Sequence, residues 1–363
     1  MDNAQCEERT AMQEARFYSK KDNQQVQCYL CAHYCLIGHN ERGKCGVREN
    51  RRGLLWSLVY GRPVAQHIDA VEKKPLYHFQ PGSLCYSIGT VGCNFHCLFC
   101  QNADIAHGPK KYKKIEGFEI SPEEIVSEAV RTECASIAYT YTEPTIFLEF
   151  ALDVAKEARG AGLKNIFITN GYTSPQALSV AAEWMDAANV DLKSFRDRFY
   201  VDQCDAHLKP VLSSISSLVE KGVWVEVTTL LIPGLNDGTG ELKEMADYLV
   251  QLKPDIPWHI SAFHPTYKML DRPSTSMQSL FKARDIAMNA GLHHVYIGNV
   301  PGGIAKNTYC HRCGELLIER TGQYTRQAGI SNAMCLKCRA FLDGVELFQE
   351  SPAAAHDRLN LQM

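Results

Sequence analysis

Between residues 84 and 297 the chain alternates short β-rich apolar runs with longer stretches in which apolar residues return every three or four positions. The runs predict strands over 84–88, 136–142, 165–169, 188–192, 224–231 and 258–263, with 293–297 as a later addition. The longer stretches predict helices over 145–158, 175–187, 210–221, 240–252 and 277–290. A further helix precedes the second strand. Ser121-Pro122-Glu123-Glu124 combines an N-cap serine, a proline at the first helical position and a capping-box glutamate, ahead of apolar Ile125, Ala129 and Val130. Strand–helix alternation of this length implies an α/β fold with a parallel sheet, either a barrel or a doubly wound sheet, and periodicity does not choose between them.

Outside this stretch the pattern changes to cysteine punctuation. Residues 1–60 are polar and carry Cys28, Cys31, Cys35 and Cys45; residues 61–304 hold the α/β rhythm; residues 305–350 carry Cys310, Cys313, Cys335 and Cys338. The Ala-rich polar segment 351–363 is expected to be a disordered tail. The chain has 363 residues, of which 45% are hydrophobic and 22% charged, ordinary globular values. Its net charge of −3 argues against bulk attraction to nucleic acid or acidic membranes. The polar start Met1-Asp2-Asn3-Ala4-Gln5 lacks the apolar core of a secretory signal, and no apolar run is long enough to span a bilayer. The chain has fifteen cysteines, and the clustered ones therefore read as metal ligands in a cytoplasmic protein rather than as disulfides.

The chemistry concentrates at Cys93-Asn94-Phe95-His96-Cys97-Leu98-Phe99-Cys100, just beyond the first strand and the turn Gly89-Thr90-Val91-Gly92. Three thiols in one loop leave a fourth metal position open, which suits a reactive iron of a 4Fe-4S cluster; part of a zinc site, or plain buried cysteines, are the alternatives. Polar groups gather at the following strand ends: Thr140-Tyr141-Thr142-Glu143-Pro144, Thr169-Asn170-Gly171-Tyr172, Asp191-Leu192-Lys193 and Phe263-His264-Pro265. Each has a structural reading too. Glu143 can serve a helix start, Thr169 and Asn170 a tight turn, Asp191 and Lys193 a salt-linked pair on one side of a strand, and His264 a loop.

Taken in order, these segments resemble relatives of pyruvate formate-lyase activating enzyme in the radical S-adenosylmethionine (SAM) superfamily. Within that group they resemble more closely one branch, the radical SAM enzyme of the AmmeMemoRadiSam system. It extends to Glu72-Lys73-Lys74-Pro75-Leu76-Tyr77-His78-Phe79 and to Gly298-Asn299-Val300-Pro301-Gly302. The resemblance implies a partial (β/α)6 barrel with cysteine-rich metal modules at both ends. It makes Cys93, Cys97 and Cys100 the 4Fe-4S ligands, and Glu143, Thr169, Asn170, Asp191, Lys193 and His264 contacts to SAM. It also implies reductive SAM cleavage, reduced flavodoxin or ferredoxin as electron donor, and a functional link to AMMECR-type and Memo-type proteins. One departure stands out: activating enzymes place an aspartate before the Thr-Asn-Gly turn, where this chain has Ile168.

The outer sets complete the expectations. Cys310-x2-Cys313 and Cys335-x2-Cys338 read as a zinc ribbon, with an auxiliary cluster as the rival. Cys28, Cys31, Cys35 and Cys45 suit zinc or an auxiliary cluster, with His33 and His39 as substitute ligands. Cys6, Cys85, Cys134 and Cys204 are expected to be ordinary thiols. The predicted activity is a radical SAM oxidoreductase that abstracts a hydrogen atom from its substrate. The alternatives are a glycyl-radical-enzyme activase acting on a protein and a catalytically silent metal-binding adaptor.

Overall fold

The computed structural model describes residues 12–301, 305–322 and 324–347. Cys6, Gly302 and the segment 351–363 lie outside them. An eight-stranded sheet organises the chain: β1 (Pro63–Ala70), β2 (Leu84–Thr90), β3 (Ser136–Tyr139), β4 (Lys164–Thr169), β5 (Ala187–Asp191), β6 (Trp224–Leu231), β7 (Trp258–Ala262) and β8 (Val295–Gly298). Neighbours in the sheet are neighbours in sequence throughout. From β2 to β8 every pairing is parallel, and β1 runs antiparallel along β2. A doubly wound sheet reverses its strand order at a switch point, and this one does not. All four residues of β3 are buried, as expected of a parallel strand covered on both faces.

The connecting helices are α1 (Ala103–Tyr112), α2 (Pro122–Arg131), α3 (Leu148–Gly160), α4 (Pro175–Ala182), α5 (Asp197–Cys204), α6 (Leu208–Glu220), α7 (Thr239–Leu252) and α8 (Met277–Ala290). The capping box at α2 forms as the sequence specifies: Glu124 N donates to Ser121 Oγ, and Ser121 N to the Glu124 carboxylate. β3 stops three residues before its predicted end. Thr142 N turns back onto Thr140 O and Tyr141 takes a positive φ of 65°, so the chain leaves the sheet there. The helix predicted from 145 begins instead as a 3-10 turn, Pro144–Phe147, ahead of α3. Two helices are additional to the prediction. α1 contains Gly108 and Pro109, both poor helix residues, and α5 is short and polar.

The terminal regions attach differently. The first contributes Val26, Cys28, Leu30, Ile37, Cys45 and Val47 to the same core as α2 and α3. It is pinned there by a buried ion pair, Arg48 Nη1 to Glu149 Oε1 at 2.9 Å. The second has its own small core around Leu317, Ile318, Ile330 and Leu342. One of its links is Arg320, which donates to Tyr77 O at 2.6 Å and lies over the Tyr77 ring at 4.4 Å; another is Val345, whose N donates to His78 O at 2.8 Å. Among the described residues no helix is long and apolar enough to cross a membrane.

Candidate active site and metal centres

The cysteine loop follows β2 directly, and packing leaves little choice in how. A Cβ on Gly89 would meet Thr140 O at 2.5 Å, so only glycine lets β2 and the end of β3 come this close. Gly92, at φ +97°, has no room for one either, with Val47 Cγ1 at 2.6 Å. Beyond it Phe95 and Phe99 are buried and act as anchors: Phe95 packs edge-on against Tyr172, and Phe99 against Phe199. The loop backbone borrows the end of α5 as a template, with His96 N donating to Cys204 O and Leu98 N to Gln203 O, each at 2.9 Å. Orphan carbonyls at a helix carboxyl end are thereby satisfied.

A cavity of about 400 Å³ opens over this loop and the strand ends. Cys93, Cys97 and Cys100 line it together with Glu143, Thr169, Asn170, Asp191 and Lys193. Eight of the nine inner positions singled out in the sequence thus meet in one space. His264 does not line it. Its ring is exposed and bonds Ser274 Oγ and Asn299 O, so it ties off a loop while Asn299 takes the place in the cavity wall.

Glu143 lines the cavity and also caps the 3-10 turn that follows it, the helix-start role the sequence allowed. Its Oε1 accepts from Thr145 N (3.0 Å), Thr145 Oγ1 (2.6 Å) and Thr169 Oγ1 (2.8 Å), and Oε2 accepts from Asn170 N (2.7 Å). Burial pushes this carboxyl up, opposed by those donors. The carboxylate therefore clamps the end of β3 to the end of β4. Asn170 carries the clamp onward, donating from Nδ2 to Asn94 Oδ1 at 2.7 Å. Asn94 also accepts on its carbonyl from His33 Nε2 at 2.8 Å, which ties the amino-terminal region to the cysteine loop. Burial lowers His33 to about 4, so the ring is a neutral donor here.

Lys193 Nζ lies 2.9 Å from Asp191 Oδ2, the pairing that alternation predicts. Burial opposes its charge, but Asp191 and the thiols Cys97 and Cys204 outweigh it and hold the ammonium well above its usual range. The thiols are shifted upward as well, which for them favours the neutral form. Burial pushes Cys100 up to about 11 and raises Cys93; for Cys97 the hydrogen bond with Cys204 acts first and burial second. Such a set ionises when a cation shares the site. The Cys97–Cys204 contact escaped sequence reasoning, because 107 residues separate the two cysteines and only the α5 template joins them. The donors suit an iron–sulfur centre: soft sulfurs facing one cavity, Phe95 N bonded to Cys93 Sγ at 3.4 Å, and the buried Asn94 Nδ2 left without a partner beside them.

The outer cysteines are arranged differently. Cys310, Cys313, Cys335 and Cys338 present sulfurs that all lie within 4.8 Å of one another, with Cys310–Cys338 at 3.5 Å and Cys313–Cys335 at 3.6 Å, and could hold one metal ion. Cys28, Cys31, Cys35 and Cys45 ring a small separate cavity with Arg48 and Ile146. Arg48 Nε is buried there without a partner, a spare cationic donor beside four thiols. The substitute ligands are occupied elsewhere: His33 by Asn94, and His39 Nδ1 by Arg52 N at 3.0 Å. Asp255, His293 and His311 also cluster, but the two rings stack at 4.2 Å with planes 8° apart. Their in-plane lone pairs run parallel instead of converging on an ion.

Residues 87–249 match the family model described as the Radical SAM superfamily. A protein of Methanocaldococcus jannaschii is 44% identical over 310 residues, spanning 85% of this chain and 92% of that protein. The benzylsuccinate synthase activating enzyme of Thauera aromatica is 24% identical over 144 residues, 38% of this chain and 44% of the enzyme. Among solved structures, a domain of pyruvate-formate lyase-activating enzyme from Bacteroides vulgatus aligns with 46% of this chain and 99% of its own. Its TM-score is 0.41 and its identity 20%.

Proposed function

We propose that this chain, which belongs to the radical SAM superfamily, cleaves SAM reductively at the Cys93–Cys100 loop and abstracts a hydrogen atom from a substrate held in the same cavity. The observation that carries this reading is that the three loop thiols and the strand-end groups of β3, β4 and β5 line one space. We read the sequential sheet as a partial (β/α)6 barrel and, on the motifs quoted above, assign the chain to the AmmeMemoRadiSam branch. When bound, the cluster and SAM supply a one-electron cleavage that yields a 5′-deoxyadenosyl radical.

The chain's own residues supply position. Cys93, Cys97 and Cys100 would hold the 4Fe-4S cluster by their thiolates, leaving it open to SAM from the cavity side. Lys193, kept charged by Asp191, is the cation for the methionyl carboxylate. Glu143 holds the ends of β3 and β4 together beside the cavity that Thr140, Tyr141 and Thr142 also line, where the methionyl ammonium would sit. Phe95 and Phe99 keep water from beneath the loop. At the carboxyl end we propose one structural zinc ion: tetrahedral Zn–S bonds of about 2.3 Å require S–S edges of about 3.8 Å, close to the separations above. The amino-terminal four are proposed to hold a second metal–thiolate centre whose negative charge Arg48 shares.

Anaerobic reconstitution with iron, sulfide and SAM, followed by reduction, tests the reading. 5′-Deoxyadenosine is the expected product; its absence from fully iron-loaded protein would overturn it. The likeness to the Thauera enzyme favours a second reading, in which the hydrogen comes from a glycine of a partner protein. A glycyl radical signal on such a partner, in place of deuterium transfer from a small molecule, would establish it.

A further inference from the structure

Lys73 and Lys74 follow β1 side by side, and both line the cavity over the cysteine loop. They are carried by a 3-10 turn, Val71–Lys73, held by Val71 N to Ser83 O at 3.0 Å and Lys74 N to Val71 O at 2.9 Å. The Lys74 side chain is 5% exposed, against 59% for Lys73. An ammonium has three protons to place, and among the described residues Lys74 Nζ has one acceptor, Asp69 Oδ2 at 2.7 Å. It also lies over the ring of Tyr141, 4.7 Å from the centroid.

Asp69 is shared among several donors. Its Oδ2 also accepts from Ser87 Oγ and Tyr141 Oη, each at 3.0 Å, and its Oδ1 faces Lys73 Nζ at 3.4 Å. Burial pushes this carboxyl up, but Lys74, Tyr141 and Ser87 outweigh it and hold it down at about 2. One carboxylate thus serves two ammoniums. Asp69 does not itself line the cavity, so a positive charge remains uncompensated on the wall.

The neighbouring acids face other groups. Asp191 pairs with Lys193, Glu143 accepts from Thr145, Thr169 and Asn170, and Glu72 turns to Gly82 N and Thr325 Oγ1, both at 2.8 Å. A second sign of a ligand comes from β6: Thr228 lines the same cavity, and its Oγ1 is buried without a partner. The Asp69–Lys74 pair also lies deeper than the SAM groups. Ser87, which bonds Asp69, comes three residues before the end of β2, on the order of 10 Å below the point where the chain leaves for the cysteine loop. Lys193, by contrast, stands two residues past the end of β5.

We propose that Lys74, with Lys73 beside it, forms an oxyanion subsite for the substrate, and that the molecule from which hydrogen is abstracted is a small one carrying a carboxylate or phosphate group. This rests on the radical SAM reading. Lys193 takes the methionyl carboxylate at the strand ends; Lys74 takes the anionic end of the second molecule lower in the cavity. Anchored there, the substrate directs its uncharged part towards the loop. The turn that carries the lysines is braced through Glu72 against Thr325 of the carboxyl-terminal module, so the subsite is in place before the ligand enters.

The test uses the reconstituted full chain with SAM present and no reductant, and inorganic phosphate and acetate as probes, their binding read from the broadening of 31P and 13C NMR lines. In Lys74→Gln the affinity for the preferred anion should fall at least about 10-fold, and in the more exposed Lys73→Gln about 3-fold. Asp69→Asn, which removes the competing carboxylate, should tighten binding about 3-fold, an effect that damage to the fold would not produce. Lys282→Gln, an exposed change on α8, should bind as wild type does. Phosphate bound at least about 10-fold more tightly than acetate would assign a phosphate ester, and comparable affinities a carboxylate. If Lys74→Gln does not fold, Lys73→Gln and Asp69→Asn decide the matter, since both leave Lys74 in place. Wild-type affinity in the lysine variants, or no saturable binding of either anion to wild-type protein, would overturn the proposal. So would a loss of SAM affinity equal to that of phosphate, which would make these lysines holders of the methionyl carboxylate. Failure of the reduced wild-type protein to form 5′-deoxyadenosine would overturn the radical SAM reading instead, and the anion affinities would still decide the subsite.

Discussion

The Cys93–Cys100 loop and the Cys310–Cys338 module put cysteines to opposite uses. The module gathers four sulfurs within 4.8 Å, backs them with a small core of its own, and leaves no ligand position for anything else. The loop spreads three sulfurs around a cavity shared with Glu143, Asp191 and Lys193, and is held open by contacts from α5, β4, the amino-terminal region and the Tyr267–Lys268 turn. A closed shell stabilises a fold; an open one, buttressed from several sides, can present a metal to a ligand. The buttressing is the costlier arrangement, since each of those groups must be placed by a different part of the chain.

The strongest way to break this contrast is Cys97→Ala. SAM cleavage should fall at least about 1000-fold, equivalent to about 4 kcal/mol in the barrier. Retained 5′-deoxyadenosine formation would remove the loop from the chemistry. Next comes Cys313→Ser, for which elemental analysis should show one zinc lost per chain with loop iron unchanged. The carboxyl-terminal module should unfold, as structural zinc sites contribute on the order of 10 kcal/mol to such folds. Loss of iron instead would mean that the two centres are not independent.

A third measurement probes the seam between the module and the sheet. His78 is buried, bonded to Asp343 O at 2.9 Å and Tyr296 Oη at 2.6 Å, and burial lowers it to about 4, with Glu226 opposing and Arg320 and His259 adding to the depression. Below pH 6.5 the unfolded chain takes up a proton that the folded one refuses, so stability should decline as pH falls from 6.5 towards 4. The shift corresponds to at most roughly 3 kcal/mol. Denaturant melts of His78→Gln should show a shallower slope in that window; an unchanged slope would place the pH sensitivity elsewhere. The smallest expected effect is Glu143→Gln, which leaves donors from Thr145 or Asn170 unpaired in a buried site, at about 2 kcal/mol. The KM for SAM should rise as the β3 and β4 ends loosen. Wild-type stability and KM together would show that Glu143 is not the clamp described above.

Much of the site could be read from residue order because its parts sit at strand ends, where a parallel sheet brings successive loops together whatever their separation in sequence. Glu143, Asn170 and Lys193 were found that way. The same reasoning failed where a side chain's partners come from elsewhere. His264 sits at a strand end but turns to Ser274 and Asn299. α1 was hidden by Gly108 and Pro109, residues that weaken a helix in isolation but are tolerated where the packed loop holds its start.

By itself the sequence determined the local features: the spacing of the loop cysteines, the capping box of α2, the strand and helix periods, and the glycines that a close turn demands. These depend on neighbours a few residues away, and chain geometry fixes such neighbours. Only the tertiary structure decided that Cys204 sits against Cys97, that Arg48 keeps a spare donor beside four thiols, and that Lys268 rests on a loop about 170 residues earlier. Those outcomes depend on which surfaces are buried against each other, and burial is settled by the packing of the whole chain.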